Sequence, residues 1–176
     1  MPAKDTYREN LISPVLQLQA KIIAPRLIEL GLTVGAAESL TGGLVSAVLS
    51  FVPGSSAFFL GSVVAYANSA KRDILGVEEE ILDTKGAVSA QAALAMAEGI
   101  KNLTGAAIGL ATTGIAGPDG GSRDKPVGLC YLAAVGLGHE LLTEQIFTGS
   151  RHLIAEEAVV SLMALLTKIL NRPVLA

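Results

Sequence analysis

The chain has 176 residues, a length that allows one domain of ordinary size with its own hydrophobic core. Apolar residues make up 51% of it and charged residues 16%, and the net charge is -3 at pH 7 without any block of like charges, so we expect no nucleic-acid partner and no membrane surface as a partner. The single cysteine, Cys130, excludes an internal disulfide and a multi-cysteine metal site, and we predict that it is a small core residue.

The location of the protein is predicted from two absences in the sequence. The N-terminal residues lack the apolar segment of a signal peptide. The longest stretch without a charge, residues 39–70, is interrupted by glycine, proline, serine and asparagine residues, which does not fit a membrane span. We therefore expect a cytoplasmic protein.

Hydrophobic spacing and turn residues predict the elements of the first half of the chain. Ser13 and Pro14 are typical of a helix start, and Gly31 is expected to end that helix after Leu30. The next predicted elements are a strand over 32–38, a helix over 41–52, a strand over 58–66, a short helix capped by Asn68 and ended by Gly76, and one or two helical turns over 78–83.

In the second half, Ser89 is a good N-cap for a helix over about 90–103. Then follow a strand over 106–113, a glycine-rich loop over 114–126, an antiparallel hairpin with strands over 127–135 and 140–147, and a final amphipathic helix over about 153–170. The sequence contains no internal repeat and no linker. We predict an α/β fold: a single domain over residues 1–176, with three layers (α/β/α) around a mixed sheet.

Ser39 and Thr41 lie where the first predicted strand turns into a helix, and Gly42 and Gly43 keep that turn free of side-chain bulk. The first N–H groups of a helix lack internal partners, so a hydroxyl at this place could act as a nucleophile beside ready oxyanion donors. The alternative is that Ser39 or Thr41 merely caps the helix, as serine and threonine often do.

Two charged residues flank this stretch. Glu38 is the only charge between Leu32 and Ala70; it is either catalytic or held by structural hydrogen bonds, because an unpaired buried carboxylate is costly. Lys71 follows the second predicted strand, whose end would bring Tyr66 and Lys71 to the same sheet edge as Ser39. A desolvated lysine there could take the proton of Ser39, but an ordinary solvated lysine is the alternative.

The remaining candidates concern anions and metals. Loop 114–126 could cradle an anion with its backbone N–H groups, although it does not match the P-loop pattern. Arg151 could hold a phosphate or be a plain surface arginine. His139 and His152 are the only histidines and form no metal motif, so we expect no metal site. We also expect no cofactor.

Several motifs occur together and in order: AESLTGG at 37–43, PGSS at 53–56, YANSAK at 66–71, GAVS at 86–89, and TGIAGPDGG at 113–121 followed by KPVG at 125–128. Over about residues 31–151 the chain resembles the CinA C-terminal domain family, which includes the nicotinamide-nucleotide amidohydrolases. Larger members carry an extra N-terminal domain, and this chain is expected to be the stand-alone form.

The resemblance implies a metal-independent amidase that converts nicotinamide mononucleotide (NMN) to nicotinic acid mononucleotide and ammonia through an acyl-enzyme. The catalytic residues that it implies are Ser39 as nucleophile, Lys71 as base, and Tyr66. The expected substrate-binding residues are Thr41, Gly42, Gly43, Asn68, Thr113, Gly114 and Arg151. N–H groups around Thr41 and Gly42 would hold the oxyanion, the partner would be a small nucleotide, and the many apolar residues suggest a homodimer.

Two positions depart from the family pattern. Leu40 stands where a cysteine is common, and Ala155 stands where the family often has a second arginine, four residues after Arg151. The second departure weakens the expected phosphate clamp. Two alternatives therefore stay open: an amidase for another carboxamide, and a catalytically silent nucleotide-binding or interaction module of the competence or damage-inducible type.

Overall fold

The computed structural model describes residues 12–173, so both ends of the predicted domain over 1–176 lie outside the described residues. Within that range the chain forms five strands and six α-helices. In chain order these are α1 (Pro14–Leu30), β1 (Val34–Glu38), α2 (Leu44–Ser50), β2 (Phe59–Val64), α3 (Asn68–Asp73), α4 (Glu79–Thr84), α5 (Ala90–Thr104), β3 (Ile108–Gly114), β4 (Leu129–Gly136), β5 (His139–Ile146) and α6 (Arg151–Leu170), with one 3-10 turn at Ser55–Ala57 between α2 and β2.

The sheet is mixed, as predicted. Its strand order is β2-β1-β3-β4-β5, in which β1 runs parallel to both β2 and β3, while β3, β4 and β5 are antiparallel to one another in turn. Glu38, at the end of β1, is paired with Val64 on β2 and with Thr112 on β3. The carboxyl ends of these three parallel strands therefore lie side by side, which is where α/β sheets usually bind ligands.

Two buried clusters make the three layers. One cluster joins α1, α2 and α6 to one face of the sheet through residues such as Leu27, Val48 and Leu166. The other joins α4 and α5 to the opposite face through residues such as Leu82 and Met96. Cys130 is fully buried in the first cluster, as predicted, and burial raises the pKa of its thiol to about 12. Between residues 12 and 173 no helix is both long and apolar enough to cross a membrane.

Several predicted helix ends are confirmed. Among the exceptions, α3 ends at Asp73, before the predicted Gly76, and α6 begins at Arg151, about two residues earlier than predicted, because Ser150 caps it. Ser13 and Ser89 accept N–H groups at the starts of α1 and α5, and Gly31 ends α1 in a left-handed conformation. The prediction that Asn68 caps α3 is wrong, because Ala67 is the N-cap and Asn68 is already helical. Helix α2 begins at Leu44, three residues later than predicted, because residues 39–43 form a separate turn.

Gly109 allows α5 to pack directly on β3. A Cβ at this position would lie 1.9 Å from the carbonyl oxygen of Ala97 and 2.9 Å from Cβ of Lys101. We expect Gly109→Ala to lower the free energy of unfolding by about 2–3 kcal/mol, because the helix must move away from the sheet. Gly105→Ala is the control: it meets nothing within 4 Å and is strained only by its positive φ, at about 1 kcal/mol. Urea unfolding curves measure both, and equal losses would contradict the packing argument.

Candidate active site

A cleft of about 190 Å³ opens at the carboxyl ends of β1, β2 and β3. It is lined by seven of the ten predicted site residues: Ser39, Tyr66, Asn68, Lys71, Thr113, Gly114 and Arg151. Thr41, Gly42 and Gly43 are absent from the lining. A larger cleft of about 470 Å³ between Ile74 and Leu103 is lined by no serine, lysine or histidine. The predicted serine and lysine therefore lie together in the smaller cleft.

Ser39 is anchored by the strands on both sides of β1. Its N–H group donates to the carbonyl oxygen of Thr112 at 3.0 Å, and the N–H group of Ala65 donates to the carbonyl oxygen of Glu38 at 2.8 Å. The side chain of Ser39 is buried apart from its exposure to the cleft. The backbone position of this hydroxyl is thus set by the sheet itself.

The alternative role of Ser39 or Thr41 as helix cap is wrong. The N-cap residue of α2 is Gly43, which has no side chain that could accept the first N–H groups of the helix. The carboxylate of Glu38 takes that role, because it accepts the N–H groups of Gly43, Val45 and Ser46 at 2.9–3.0 Å. The lone charge of this segment is therefore held by structural hydrogen bonds, one of its two predicted roles, and the hydroxyl of Ser39 is left free of capping.

The same turn determines which backbone N–H groups are available near Ser39. The N–H group of Gly42, expected to face an oxyanion, donates instead to the carbonyl oxygen of Ser39 at 3.2 Å, and that of Gly43 donates to Glu38. Among the hydrogen bonds of residues 12–173, none uses the N–H group of Leu40 or of Thr41. Gly42 and Gly43 shape the turn through their positive φ angles of 58° and 107°.

Lys71 reaches Ser39 from α3. Its side-chain nitrogen Nζ lies 3.1 Å from Oγ of Ser39, 2.7 Å from the carbonyl oxygen of Ala65 and 3.3 Å from that of Tyr66. The side chain is 1% exposed, and it takes part in no ion pair within residues 12–173. Burial lowers the pKa of this amine below 10.5. The predicted meeting of the two side chains is confirmed.

The three contacts of Lys71 suit an uncharged amine. A neutral amine has two N–H donors and one lone pair, and a carbonyl oxygen can only accept. The carbonyl groups of Ala65 and Tyr66 therefore take both N–H donors, which leaves the lone pair for the hydroxyl proton of Ser39. In the charged form the amine donates to all three oxygens. The arrangement thus serves both protonation states that a general base must pass through.

The lowered pKa of Lys71 predicts a pH dependence of stability. Between that lowered value and the ordinary 10.5, the folded chain binds fewer protons than the unfolded chain, so the contribution of Lys71 to stability rises with pH. We therefore expect the unfolding free energy of the wild type, relative to Lys71→Met, to increase as the pH is raised towards 10.5. Urea curves at each pH measure this difference, and a difference that stays flat up to pH 10.5 would contradict a displaced pKa.

Arg151 closes one side of the cleft mouth. It is the first residue of α6, and its guanidinium donates to the carbonyl oxygen of Gly117 at 3.0 Å and to the hydroxyl of Tyr66. The hydroxyl of Tyr66, a predicted catalytic group, is thus engaged with Arg151, while the backbone carbonyl of Tyr66 serves Lys71. Arg151 therefore places a cation on the cleft lining, but some of its N–H donors are already bound to Gly117 and Tyr66.

The end of β3 contributes Thr113 and Gly114 to the cleft lining. The hydroxyl of Thr113 donates to the carbonyl oxygen of Ala87 at 2.7 Å, and a Cβ at Gly114 would lie 2.6 Å from the carbonyl oxygen of Leu129. Both residues therefore shape the wall of the cleft. Sequence reasoning missed Ala65 and Ala87, whose backbone carbonyls hold Lys71 and Thr113, because a backbone contact leaves no signal in residue type.

Comparison with known proteins identifies the family. The model of the CinA C-terminal domain matches residues 16–170. A relative in Desulforudis audaxviator, named among the competence-damage inducible proteins, is 49% identical over 89% of this chain and 38% of its own length. A CinA-like protein of Geotalea uraniireducens is 46% identical over 82% of this chain and 34% of its own length. The chain thus spans little more than a third of these curated relatives.

Solved structures agree with this match over 90% or more of their own length. The crystal structure of the competence/damage inducible protein CihA from Agrobacterium tumefaciens has a TM-score of 0.88 and 42% identity, covering 92% of this chain and 98% of that one. A CinA superfamily protein from Escherichia coli has a TM-score of 0.84 and 28% identity, covering 88% and 90%. This chain belongs to the CinA C-terminal domain family.

Proposed function

We propose that this chain is an amidase that hydrolyses the carboxamide of NMN to nicotinic acid mononucleotide and ammonia. The observation that carries the proposal is the contact between Ser39 and Lys71, in which a buried amine without a carboxylate partner lies 3.1 Å from a serine hydroxyl. A desolvated lysine with a lowered pKa is a recognised base for activating serine. The resemblance to the nicotinamide-nucleotide amidohydrolases supplies the choice of substrate.

In the first half of the reaction, the neutral amine of Lys71 takes the hydroxyl proton of Ser39, and the serine oxygen attacks the carboxamide carbon. The N–H group of Leu40, a residue of the cleft lining that has no acceptor among the described hydrogen bonds, would hold the resulting oxyanion. The ammonium of Lys71 then gives its proton to the substrate nitrogen, the carbon–nitrogen bond breaks, and ammonia leaves. The nicotinoyl group remains as an ester on Ser39.

In the second half, water replaces ammonia. Neutral Lys71 takes a proton from the water, whose oxygen attacks the ester carbon. The carbon–oxygen bond to Ser39 breaks, the serine oxygen regains its proton from Lys71, and the free acid departs. The sum is one amide and one water consumed, one acid and one ammonia formed, with no metal or cofactor in this proposal.

The choice among substrates depends on the cleft mouth. Arg151 is the proposed partner of the nucleotide phosphate, helped by N–H groups of the glycine-rich loop. Ala155 offers no second cation, which keeps an amidase for another carboxamide as an alternative. The competence-damage names of the relatives keep a silent nucleotide-binding module as the other. A homodimer and a cytoplasmic location stay predictions.

One assay separates these functions. We expect the purified protein to release ammonia from NMN, and to release much less from nicotinamide riboside and nicotinamide, which lack the phosphate. Ammonia is measured by coupling to glutamate dehydrogenase. Equal release from the riboside would favour the broader amidase, and binding of NMN in calorimetry without any release would favour the silent module.

A further inference from the structure

The carboxylate of Glu38 is fully buried and has no cationic partner within residues 12–173. Five donors converge on it instead: the N–H groups of Gly43, Val45 and Ser46 and the hydroxyls of Thr41 and Ser46. Burial of a carboxylate costs stability unless donors replace its water. Glu38 is not on the cleft lining, so any part it takes in the reaction must pass through other residues.

The donors come from two segments, the turn over residues 39–43 and the first turn of α2, and both are bound to the side chain of Glu38. Oε2 accepts from Thr41 Oγ1 at 2.8 Å and from the N–H groups of Gly43 and Val45 at 2.9 and 3.0 Å. Oε1 accepts from the N–H group of Ser46 at 2.9 Å and from the Ser46 hydroxyl. A glutamine amide has only one accepting oxygen, so its NH₂ group would face donors on one side or the other.

The hydroxyls of Thr41 and Thr112 connect Glu38 to strand β3. Because the single hydroxyl proton of Thr41 goes to Glu38, the Thr112 hydroxyl donates to Thr41 Oγ1, over 2.8 Å. The carbonyl oxygen of Thr112 in turn accepts the N–H group of Ser39. The turn over residues 39–43 is therefore held by Glu38 and β3 together, with Ser39 between them.

We propose that Glu38 is a positioning residue for the proposed dyad. By accepting the N–H groups at the N-terminus of α2 it leaves the Ser39 hydroxyl free for Lys71. By holding Thr41 it fixes the turn in which the N–H groups of Leu40 and Thr41 have no acceptor among the described hydrogen bonds. This inference rests on the proposed function of Ser39. Displacement of a reacting group by about 1 Å can cost about a hundredfold in rate, so a disturbed turn should slow the serine even in a folded protein.

The test measures how fast Ser39 reacts with a fluorophosphonate probe, in which the serine oxygen displaces fluoride from phosphorus. This readout needs an activated Ser39 and does not depend on NMN as substrate. We expect Glu38→Gln to be labelled at least about tenfold more slowly than the wild type. Thr33→Val is the matched control, since it removes a side-chain acceptor from the N–H group of Ala107 at the opposite end of β1; it should be labelled within about twofold of the wild type.

Each outcome decides the matter. Labelling of Glu38→Gln at the wild-type rate overturns the positioning role and leaves the dyad intact, whereas absence of labelling in the wild type overturns both. With NMN, Glu38→Gln should lower kcat and leave KM nearly unchanged. Because a loss of folded protein would lower the apparent kcat in the same way, kcat is calculated per folded protein, which near-UV circular dichroism measures. If Glu38→Gln does not fold, Thr41→Val decides, because it cuts only the hydroxyl connection between Glu38 and Thr112: slower labelling supports the proposal and an unchanged rate overturns it.

Discussion

Ser39→Ala is expected to lower the rate of ammonia release from NMN by at least about 10⁴-fold, because no acyl-enzyme can form without the hydroxyl. The fold should persist, since the hydroxyl of Ser39 caps no helix and its one contact in the described residues is with Lys71. The measurement is ammonia release at saturating NMN, with unfolding curves to show that the variant is as stable as the wild type within about 1 kcal/mol.

Ser50→Ala is the matched control for this substitution. Ser50 is an exposed serine at the end of α2, and its hydroxyl donates only to the carbonyl oxygen of Ala47. Its loss should leave kcat and KM unchanged. A second check is mass spectrometry after rapid mixing with substrate, in which the wild type should show an added nicotinoyl nucleotide on the peptide that contains Ser39. Residual turnover of Ser39→Ala within tenfold of the wild type would exclude this serine as the nucleophile.

Lys71→Met is the second large effect that we expect, with kcat reduced by about 10³-fold or more. Methionine has a similar length and no basic nitrogen, so it removes the proton acceptor and preserves most of the packing. In the wild type, kcat/KM should rise with pH and level off once Lys71 is neutral. The midpoint of this rise should lie at a lower pH than the pKa of an ordinary lysine, because burial lowers the pKa of Lys71. The variant should lose that pH dependence.

Two further variants separate the base from a structural lysine. Lys101→Met removes a lysine that is paired with Glu98 on the surface of α5, and it should leave activity unchanged. Lys71→Ala opens a space in which a small primary amine can replace the missing group, so methylamine should restore part of the rate in proportion to its concentration. Full activity in Lys71→Met, or no response of Lys71→Ala to any amine together with an unchanged pH profile, would contradict the role of Lys71 as base.

The site was predicted from the sequence only in part. The juxtaposition of Ser39 and Lys71 follows from topology, because two parallel strands that end side by side bring the residues after them to one edge. The engagement of Tyr66 with Arg151 could not be predicted in the same way. It depends on where α6 begins relative to the end of β2, and these segments are far apart in the chain.

By itself, the sequence determined the element types, the mixed α/β/α architecture and the caps at Ser13, Gly31 and Ser89, because periodicity, apolar content and cap chemistry are local properties. The tertiary structure alone decided what holds Glu38 and which N–H groups beside Ser39 remain unpaired. The physical reason is that one buried carboxylate competes with the neighbouring hydroxyls for the same N–H donors. Which acceptor binds each donor depends on differences in distance of a few tenths of an ångström, and residue spacing in the sequence does not specify these.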